Sequence, residues 1–350
     1  MHDPFIAFGI GNKKYTIVNA LEFGRVKRTS AFDVVLSRET WIEKARARFG
    51  KKAGPAEIIA CIAREFKIAQ FRVPDETPAN LFVQLQKLGV KISLAAGMMF
   101  PEREIKSADE AACIREGNRL SRVGFLTAEK ILRAAQIKGR RLLWQGKPLS
   151  SERLRFALEV AIKEQGGNPA NTIVAGGNQA CDPHDRGSGP LRPNELIIID
   201  IFPRVEKTGY FGDMTRTYLK GRASDAQRKM CATVLTAQKA ALRAIRPGVD
   251  GRDVHAKVNA CFDSAGYKTK LGKNGSVGFF HGTGHGLGMA VHDAGRMGAA
   301  PYTIKKGAVL TVEPGLYYPG IGGCRWEDVV HVVDGPAKML SRHPYELEIR

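Results

Sequence analysis

The chain has 350 residues, of which 43% are hydrophobic and 25% are charged. This composition is ordinary for a folded protein and excludes bulk disorder, and the length favours two domains over one. No apolar run reaches the roughly 18 residues that a membrane span needs, and the first residues show no secretory signal. The six cysteines form no CxxC pair, so we expect reduced thiols and a cytoplasmic location.

The net charge of +19 raises the question of a nucleic-acid partner. Lysine and arginine are spread along the whole chain instead of clustering. The densest group, "KGRRLLWQGK" at 138–147, is not part of a known nucleic-acid-reading motif. We therefore expect a generally basic surface and no nucleic-acid partner.

Residues 1–104 mix short apolar runs such as "KKYTIVNAL" and "AEIIACIA" with charged connectors, which predicts strands alternating with helices. Ser107 and Glu110 then form a capping box. This box predicts a helix that runs to about residue 138 and is ended by Gly139. We place a second domain at 105–350.

The second domain shows further helix and strand signals. Ser151 predicts a helix that ends at Gly166, Ser224 with Gln227 predicts a helix that ends at 246–248, and another helix is expected over 251–265. The strand-like runs are "ELIIIDIF", "GYFGDMTRTYLKG", "AVLTVEPGLYY" and "CRWEDVVHVV". The predicted fold class is α+β, with helices packed on one antiparallel-rich sheet.

Two aspartates lie in a predicted hairpin. If its turn is centred between Glu206 and Lys207, Asp200 pairs directly with Asp213. Directly opposed carboxylates, with Cβ atoms about 5 Å apart, repel each other unless a cation lies between them. In the alternative interpretation the register differs and Asp213 ends at solvent. The hairpin alone does not distinguish the two.

Glycine occupies every second position in "HGTGHGLG", residues 281–288. A period of two predicts a strand with one bare backbone face against which another segment packs closely. His281 and His285 would then share the opposite face. The glycine spacing does not fit a dinucleotide-binding fingerprint, and the chain contains no GxxxxGK[ST] motif, so a phosphate loop is disfavoured.

Two glutamates complete a candidate metal site. Glu313 follows an apolar run, and Glu327 precedes one. Together with Asp200, Asp213 and His285, they form an oxygen-rich set on strands that we expect to be buried. Two divalent ions would neutralise these charges, with Mn²⁺ as the expected metal and Zn²⁺ or Co²⁺ as alternatives.

The order Asp, Asp, His, Glu, Glu on these motifs resembles the pita-bread metallopeptidases: aminopeptidase P, prolidase, creatinase and methionine aminopeptidase. The resemblance covers roughly 105–350 and is strongest to the Xaa-Pro aminopeptidase and prolidase branch. It implies a pita-bread catalytic domain at 105–350 and a creatinase-like α/β domain at 1–104. The chain starts almost on the family segment that resembles "DPFIAFGIGNKKYTIVNALEFGR", so we expect either an incomplete first domain or a misassigned start. It assigns Asp200, Asp213, His285, Glu313 and Glu327 as ligands of two ions bridged by Asp213 and Glu327.

The same resemblance implies roles for other residues. His184, His281 and Arg325 correspond to substrate-binding positions, with Arg325 alternatively supporting a metal carboxylate. His292 corresponds to a catalytic histidine that stabilises the tetrahedral intermediate, and Glu313 corresponds to the proton shuttle. The interval between the two aspartates is longer than is usual in the family by two residues, which keeps both on one face of a strand.

The expected function is dinuclear, metal-dependent hydrolysis of an Xaa-Pro bond at a peptide N-terminus, as in Xaa-Pro aminopeptidases. A dipeptide-specific prolidase and another C–N hydrolase of this fold, such as creatinase, remain alternatives. A non-catalytic pita-bread binding protein is a more distant alternative, because such relatives typically lose metal ligands. The expected partner is a peptide with proline at its second position, and we expect a homodimer without membrane association.

Overall fold

The computed structural model describes residues 4–272 and 275–350. The contacts divide the chain into two compact units, Met1–Phe100 and Pro101–Arg350. The sequence analysis placed this division a few residues later, between 104 and 105. Within the described ranges, no helix is long and apolar enough to cross a membrane.

Strands and helices alternate in the first unit. Strand β2 pairs with β1 in antiparallel fashion and with β3 in parallel fashion, and helix α1 joins β2 to β3. The core is built around Ile17, Trp41, Ile58 and Ile62. The elements are β1 (Ile6–Ile10), β2 (Lys13–Val18), α1 (Ala20–Thr29), β3 (Val34–Ser37), α2 (Arg38–Phe49), α3 (Pro55–Glu65), β4 (Phe71–Val73), α4 (Ala79–Lys87) and β5 (Ile92–Leu94).

In the second unit, two pairs of helices pack on two sheets. Helices α5 and α6 share a core with β11 and β13, whereas α7 and α8 share a core with β16 and β19. The helices are α5 (Ala108–Ala134), α6 (Ser151–Glu164), α7 (Asp225–Ala244) and α8 (Gly251–Ser264). The strands are β6 (Gln136–Lys138), β7 (Arg141–Trp144), β8 (Lys147–Pro148), β9 (Gly167–Asn168), β10 (Ile173–Gly176), β11 (Ile197–Ile201), β12 (Arg204–Val205), β13 (Met214–Lys220), β14 (Gly284–Gly286), β15 (Asp293–Met297), β16 (Val309–Val312), β17 (Gly315–Tyr318), β18 (Gly322–Arg325), β19 (Asp328–His331), β20 (Lys338–Met339) and β21 (Glu348–Ile349).

The predicted α+β class, with helices packed on antiparallel-rich sheet, is confirmed, and the strands are divided over more than one sheet. One sheet has the order β10-β11-β13-β21, another has the order β15-β14-β16-β19-β20, and β17 pairs with β18 separately. Each of the two larger sheets lies against its own helix pair, and each sheet and its helices share a separate cluster of buried apolar side chains. The candidate metal ligands are distributed over strands of both sheets.

The capping box of Ser107 and Glu110 and that of Ser224 and Gln227 are confirmed. Helix α5 ends at Ala134, earlier than predicted, because the chain becomes extended at Ala135 and pairs as β6 with β7. The cap of α6 is Ser150 instead of Ser151, since the Ser150 hydroxyl accepts a hydrogen bond from the Arg153 N–H group.

The prediction that Asp200 pairs directly with Asp213 is wrong. Asp200 on β11 pairs with Thr215 on β13, and Asp213 lies directly before β13. The turn is displaced because Val205 donates to the Tyr210 carbonyl and Gly209 donates to the Val205 carbonyl. The shift is an even number of residues. Asp200 and Asp213 are therefore diagonal neighbours on one face instead of directly opposed residues.

Candidate metal centre

The five predicted metal ligands come from five different segments of the second unit. Asp200 is on β11, Asp213 directly precedes β13, and His285 is the central residue of β14. Glu313 directly follows β16, and Glu327 directly precedes β19. All five side chains line one cavity of about 710 Å³.

The other predicted site residues line the same cavity. These residues are His184, His281, His292 and Arg325. The fold therefore brings together every residue that the sequence analysis selected, although they span positions 184 to 327. The apolar side chains of Phe202, Phe280 and Val291 line the cavity as well.

The geometry around His285 suits a divalent cation. Ligand atoms of Asp213, His285 and Glu327 all lie within 4.8 Å of one another. The His285 Nε2 atom is 3.7 Å from Asp213 Oδ2 and 3.4 Å from Glu313 Oε1. His285 Nδ1 lies 3.0 Å from the Gly286 carbonyl, so an N–H group there donates and leaves the Nε2 lone pair facing the carboxylates.

The carboxylates of the candidate site repel one another. Burial, together with Asp200 and Glu313, raises the pKa of Asp213 well above its usual value. Burial, together with Asp213, raises the pKa of Glu327 in the same way, and burial raises the pKa of Glu313 to about 7. A cation among these oxygens would favour their ionised forms and remove this repulsion.

Arg325 contacts a metal-ligand candidate directly. Its guanidinium donates to Asp200 Oδ2 at 2.8 Å and to the Tyr317 hydroxyl at 3.0 Å, and its side chain is 3% exposed. The other oxygen of Asp200, Oδ1, is buried and has no hydrogen-bond partner among the described residues. A buried oxygen of this kind is costly to leave unpaired, so it is suited to bind a cation.

Threonines that the sequence analysis did not select orient the glutamates. The Thr215 hydroxyl donates to Glu327 Oε2 at 2.7 Å, and the Thr311 hydroxyl donates to Glu313 Oε1 at 3.3 Å. A sequence signal existed for Thr215, because it lies two residues after Asp213 and so shares its strand face. Such partners fix the orientation of metal-ligating carboxylates.

Both ring nitrogens of His281 are engaged. His281 Nδ1 lies 2.8 Å from the Gly282 carbonyl, which can only accept, so Nδ1 carries the proton and donates. In the neutral ring Nε2 therefore accepts from the Tyr317 hydroxyl, 2.8 Å away, and that hydroxyl accepts in turn from Arg325. Burial lowers the pKa of His281 to about 3. A neutral imidazole with no free nitrogen offers the cavity its ring surface.

His292 and His184 are the more exposed histidines of the cavity. The His292 ring lies edge-on to the His285 ring, with centroids 4.4 Å apart. Burial and the neighbouring His285 lower the pKa of His292, which favours the neutral imidazole. A neutral imidazole at this position has an N–H group for a hydrogen bond to bound substrate.

Close packing against the glycine motif is confirmed, although β14 covers only Gly284–Gly286 and His281 lies outside it. A Cβ atom on Gly284 would lie 2.0 Å from the Thr311 carbonyl oxygen, and one on Gly286 would lie 1.7 Å from the Ala294 carbonyl oxygen. The bare backbone lets β14 fit between its neighbours β15 and β16. This fit places His285 next to Glu313.

The fold is that of the pita-bread metallopeptidases. The family model described as metallopeptidase family M24 matches residues 112–334, and the chain belongs to this family.

The relatives and solved structures carry peptidase names. The chain is 32% identical over 179 residues to the Xaa-Pro dipeptidase of Pyrococcus furiosus, with 51% of this chain and 49% of the relative covered. It is 31% identical over 252 residues to the uncharacterized peptidase YqhT of Bacillus subtilis, with 71% of this chain and 65% of that protein covered. The chain thus spans about half to two thirds of the length of these relatives.

The whole chain is similar in fold to the Xaa-Pro dipeptidase from Bacillus anthracis, with a TM-score of 0.84, 22% identity and 90% of that chain covered. The X-Pro aminopeptidase from Thermotoga maritima MSB8 gives a TM-score of 0.77 at 22% identity, with 97% of this chain and 88% of that chain covered. At this identity the similarity concerns the fold. It does not distinguish a dipeptidase from an aminopeptidase.

Proposed function

We propose that the chain hydrolyses the bond before proline at the N-terminus of short peptides. The observation that carries this proposal is a cluster around His285 of three buried carboxylates and the half-buried Glu313, with one adjacent arginine, in a cavity of about 710 Å³. Membership of metallopeptidase family M24 supports the reaction class. The names of the relatives support proline selectivity.

The proposed ligands of two divalent ions are Asp200, Asp213, His285, Glu313 and Glu327. The unpartnered Asp200 Oδ1 atom and the free Nε2 lone pair of His285 support this set. Two such ions would polarise the scissile carbonyl and bring the pKa of a water nucleophile towards neutrality. Mn²⁺ is the proposed metal because the donors are mostly carboxylate oxygens, and Zn²⁺ and Co²⁺ are the alternatives.

The protein's own residues would bind substrate and move protons. Glu313 carries a proton from the attacking water to the leaving proline nitrogen. His292 donates a hydrogen bond to the oxyanion of the tetrahedral intermediate. Asp200 lies near the free α-amine of the substrate, which would explain a preference for peptide N-termini.

The proline side of the substrate would contact His184 and the ring of His281, next to Phe280. Arg325 acts mainly by holding Asp200, as its 2.8 Å contact indicates. A dipeptidase is the second candidate, since the Pyrococcus furiosus relative is named an Xaa-Pro dipeptidase. The Thermotoga maritima structure is named an aminopeptidase, so we keep both substrate lengths in the test.

The proposal extends to the remaining parts of the chain. We assign residues 1–104 to a creatinase-like domain and 105–350 to the catalytic domain. A cytoplasmic homodimer is the proposed state. Size-exclusion chromatography with light scattering would test the dimer.

The deciding experiment combines metal analysis with a peptide panel. Purified protein is loaded with Mn²⁺, Zn²⁺ or Co²⁺, its bound metal is counted, and hydrolysis is measured on Xaa-Pro, Xaa-Pro-Yaa and Xaa-Ala-Yaa. We expect two ions per chain and cleavage only before proline. Faster cleavage of Xaa-Pro than of Xaa-Pro-Yaa would establish the dipeptidase. Absence of cleavage of any proline peptide by the metal-loaded protein would refute the proposed function.

A further inference from the structure

The loop 287–292 joins β14 to β15 and ends with His292. His292 lines the cavity, yet its imidazole makes no hydrogen bond to any residue in the described ranges; its ring contact is with His285. The position of this imidazole therefore depends on the backbone on either side of it. The residue that follows, Asp293, is held tightly.

Asp293 is the first residue of β15, and its side chain is 3% exposed. Its Oδ1 atom accepts a hydrogen bond from the Ala294 N–H group at 3.0 Å. Its Oδ2 atom lies 3.6 Å from the Lys106 ammonium and 3.4 Å from the Arg103 guanidinium. Arg103 is substantially exposed, so Lys106 is the buried cation that faces Asp293.

Lys106 directly precedes Ser107, the N-cap of α5, and its side chain is 2% exposed. Its backbone N–H group donates to the Gly307 carbonyl at 2.8 Å, which fixes its main chain. Burial lowers the pKa of Lys106, whereas Asp293 acts in the opposite direction. Among the described residues, the carboxylate within 4.0 Å of the ammonium is that of Asp293.

The ion pair packs against the loop itself. A Cβ atom on Gly288 would lie 2.4 Å from Asp293 Oδ2 and 3.1 Å from Lys106 Cε, so only glycine leaves room for the pair. The Gly288 carbonyl accepts a hydrogen bond from the Phe211 N–H group at 2.9 Å. The loop is thus held near its start at Gly288 and just beyond its end at Asp293, with Lys106 in contact with both.

A buried ion pair is seldom worth much in net stability, because desolvation of two charges offsets their attraction. Its better supported role is to select one arrangement of the groups around it. Here the arrangement joins the start of α5 to the loop that carries His292. A small displacement of a reacting group can reduce a rate by as much as about 100-fold.

We propose that Lys106 is a positioning residue, which through its buried contact with Asp293 holds the loop 287–292 so that His292 faces the bound peptide. This inference rests on the proposed function, since the role of His292 in hydrolysis is part of that proposal. The contact itself is independent of any reaction, so it can be tested separately.

The kinetic test uses Lys106→Met, Asp293→Asn and the conservative Lys106→Arg, each alone and combined with His292→Ala. Lys106→Met and Asp293→Asn should lower kcat about tenfold or more, with KM changed less than about threefold and bound metal unchanged. Lys106→Arg, which keeps the positive charge, should lose less kcat than Lys106→Met. In the His292→Ala background, Lys106→Met should cause no further loss, because the two residues act through one group.

The matched control is Lys305→Met. Lys305 also pairs with a carboxylate near the start of the second unit, at 2.9 Å from Glu104 Oε2, but its side chain is 56% exposed. This variant should leave kcat within about twofold of the parent, because the Lys305 ammonium is largely exposed to water and the Tyr302 hydroxyl still donates to Glu104. If Lys106→Met lowers kcat by the same factor in the parent and in the His292→Ala variant, the proposal is wrong.

A second readout does not depend on activity. In protein labelled with ¹³C at the histidine Cε1 atom, the His292 signal is assigned from His292→Ala. It should shift or broaden in Lys106→Met and Asp293→Asn but not in Lys305→Met, while the signal of the buried His343 stays unchanged. An unchanged His292 signal in folded Lys106→Met overturns the proposal, whereas an inactive parent refutes only the proposed function.

Discussion

At the scale of single residues, His292 and His285 lie side by side but have different surroundings. His285 faces two carboxylates through Nε2, whereas His292 contacts His285 only through its ring edge. Replacing His292 should therefore affect catalysis without affecting the ions. The same geometry makes His285 a ligand candidate and His292 a candidate hydrogen-bond donor to substrate.

We predict that His292→Ala retains the parent's bound metal and loses about 100-fold in kcat, the usual cost of one hydrogen bond that strengthens in the transition state. Inductively coupled plasma mass spectrometry and steady-state kinetics on Xaa-Pro peptides would measure both. Loss of the ions from this variant would instead identify His292 as a ligand.

Glu313 gives a prediction about pH. Burial and Asp200 raise its pKa, against a lowering effect of Arg325, from the ordinary 4.5 to about 7. At pH values between 4.5 and about 7, the Glu313 carboxylate is protonated to a greater extent in the folded, metal-free protein than in the unfolded chain. Its contribution to the free energy of unfolding therefore decreases as pH rises through this window.

Glu313→Gln removes this titration and also the contribution of Glu313 to the raised pKa values of Asp213 and Glu327, which acts in the same direction. In metal-free samples, the stability of the variant relative to the parent should increase between pH 4.5 and pH 7.5, by about 3 kcal/mol at most from Glu313 itself. Urea unfolding at several pH values would measure the difference. A difference that stays constant or decreases with pH would show that Glu313 is not destabilised by its surroundings.

At the scale of elements, helix α5 determines where Asp213 lies. A Cβ atom on Gly117 of α5 would lie 2.3 Å from the Gly212 nitrogen, so the two backbones are in direct contact. The neighbouring Asn118 accepts a hydrogen bond from the Asp213 N–H group at 3.0 Å. The helix thus positions a candidate ligand through its backbone as well as through a side chain.

We predict that Gly117→Ala forces α5 away from Gly212, destabilises the protein by about 3 kcal/mol and reduces bound metal. Gly24→Ala in α1 is the matched control. Its Cβ atom would meet only the Arg28 guanidinium at 3.5 Å, and the alanine should be neutral or stabilising by up to about 1 kcal/mol. Thermal unfolding and metal analysis compare the two. Full metal content in Gly117→Ala would show that Asp213 is positioned independently of α5.

At the scale of the whole molecule, the candidate ligands come from both of the larger sheets of the second unit. Asp200 and Asp213 belong to the hairpin of β11 and β13, whereas His285, Glu313 and Glu327 lie on or beside the strands of the other sheet. Ions bound by all five would stabilise the folded arrangement of both sheets. Removal of the ions should therefore affect stability as well as activity.

We predict that chelation abolishes hydrolysis and lowers the Tm by roughly 5 to 10 °C. Free metal at 100 times its Kd stabilises the folded protein by about 2.7 kcal/mol, and each kcal/mol of stability corresponds to about 2–4 °C of Tm. Adding Mn²⁺ should restore both. Asp213→Asn, which removes a proposed bridging charge, should show a smaller change of Tm on chelation. Full hydrolysis by protein shown to be metal-free would contradict the prediction.

The amino-acid sequence, read together with the family resemblance, was sufficient to select the candidate metal ligands and four further residues that line the cavity. A carboxylate such as Asp200 or Glu313 next to an apolar run indicates a buried charge, and a buried charge requires a partner. The two capping boxes likewise marked the starts of α5 and α7, because capping depends only on residues three positions apart. Local patterns of this kind keep their meaning wherever the segment lies in the fold.

The tertiary structure decided how these groups meet. The register that pairs Asp200 with Thr215 depends on a turn held by Val205 and Tyr210, and the orientation of Asp200 depends on Arg325, 125 positions away. The contact between Lys106 and Asp293 likewise joins residues far apart in the sequence. The sequence by itself determined which residues carry charge into buried strands, since burial follows local apolar pattern. Only the folded chain determined their partners, because hydrogen bonds and ion pairs depend on distances of a few ångströms between distant segments.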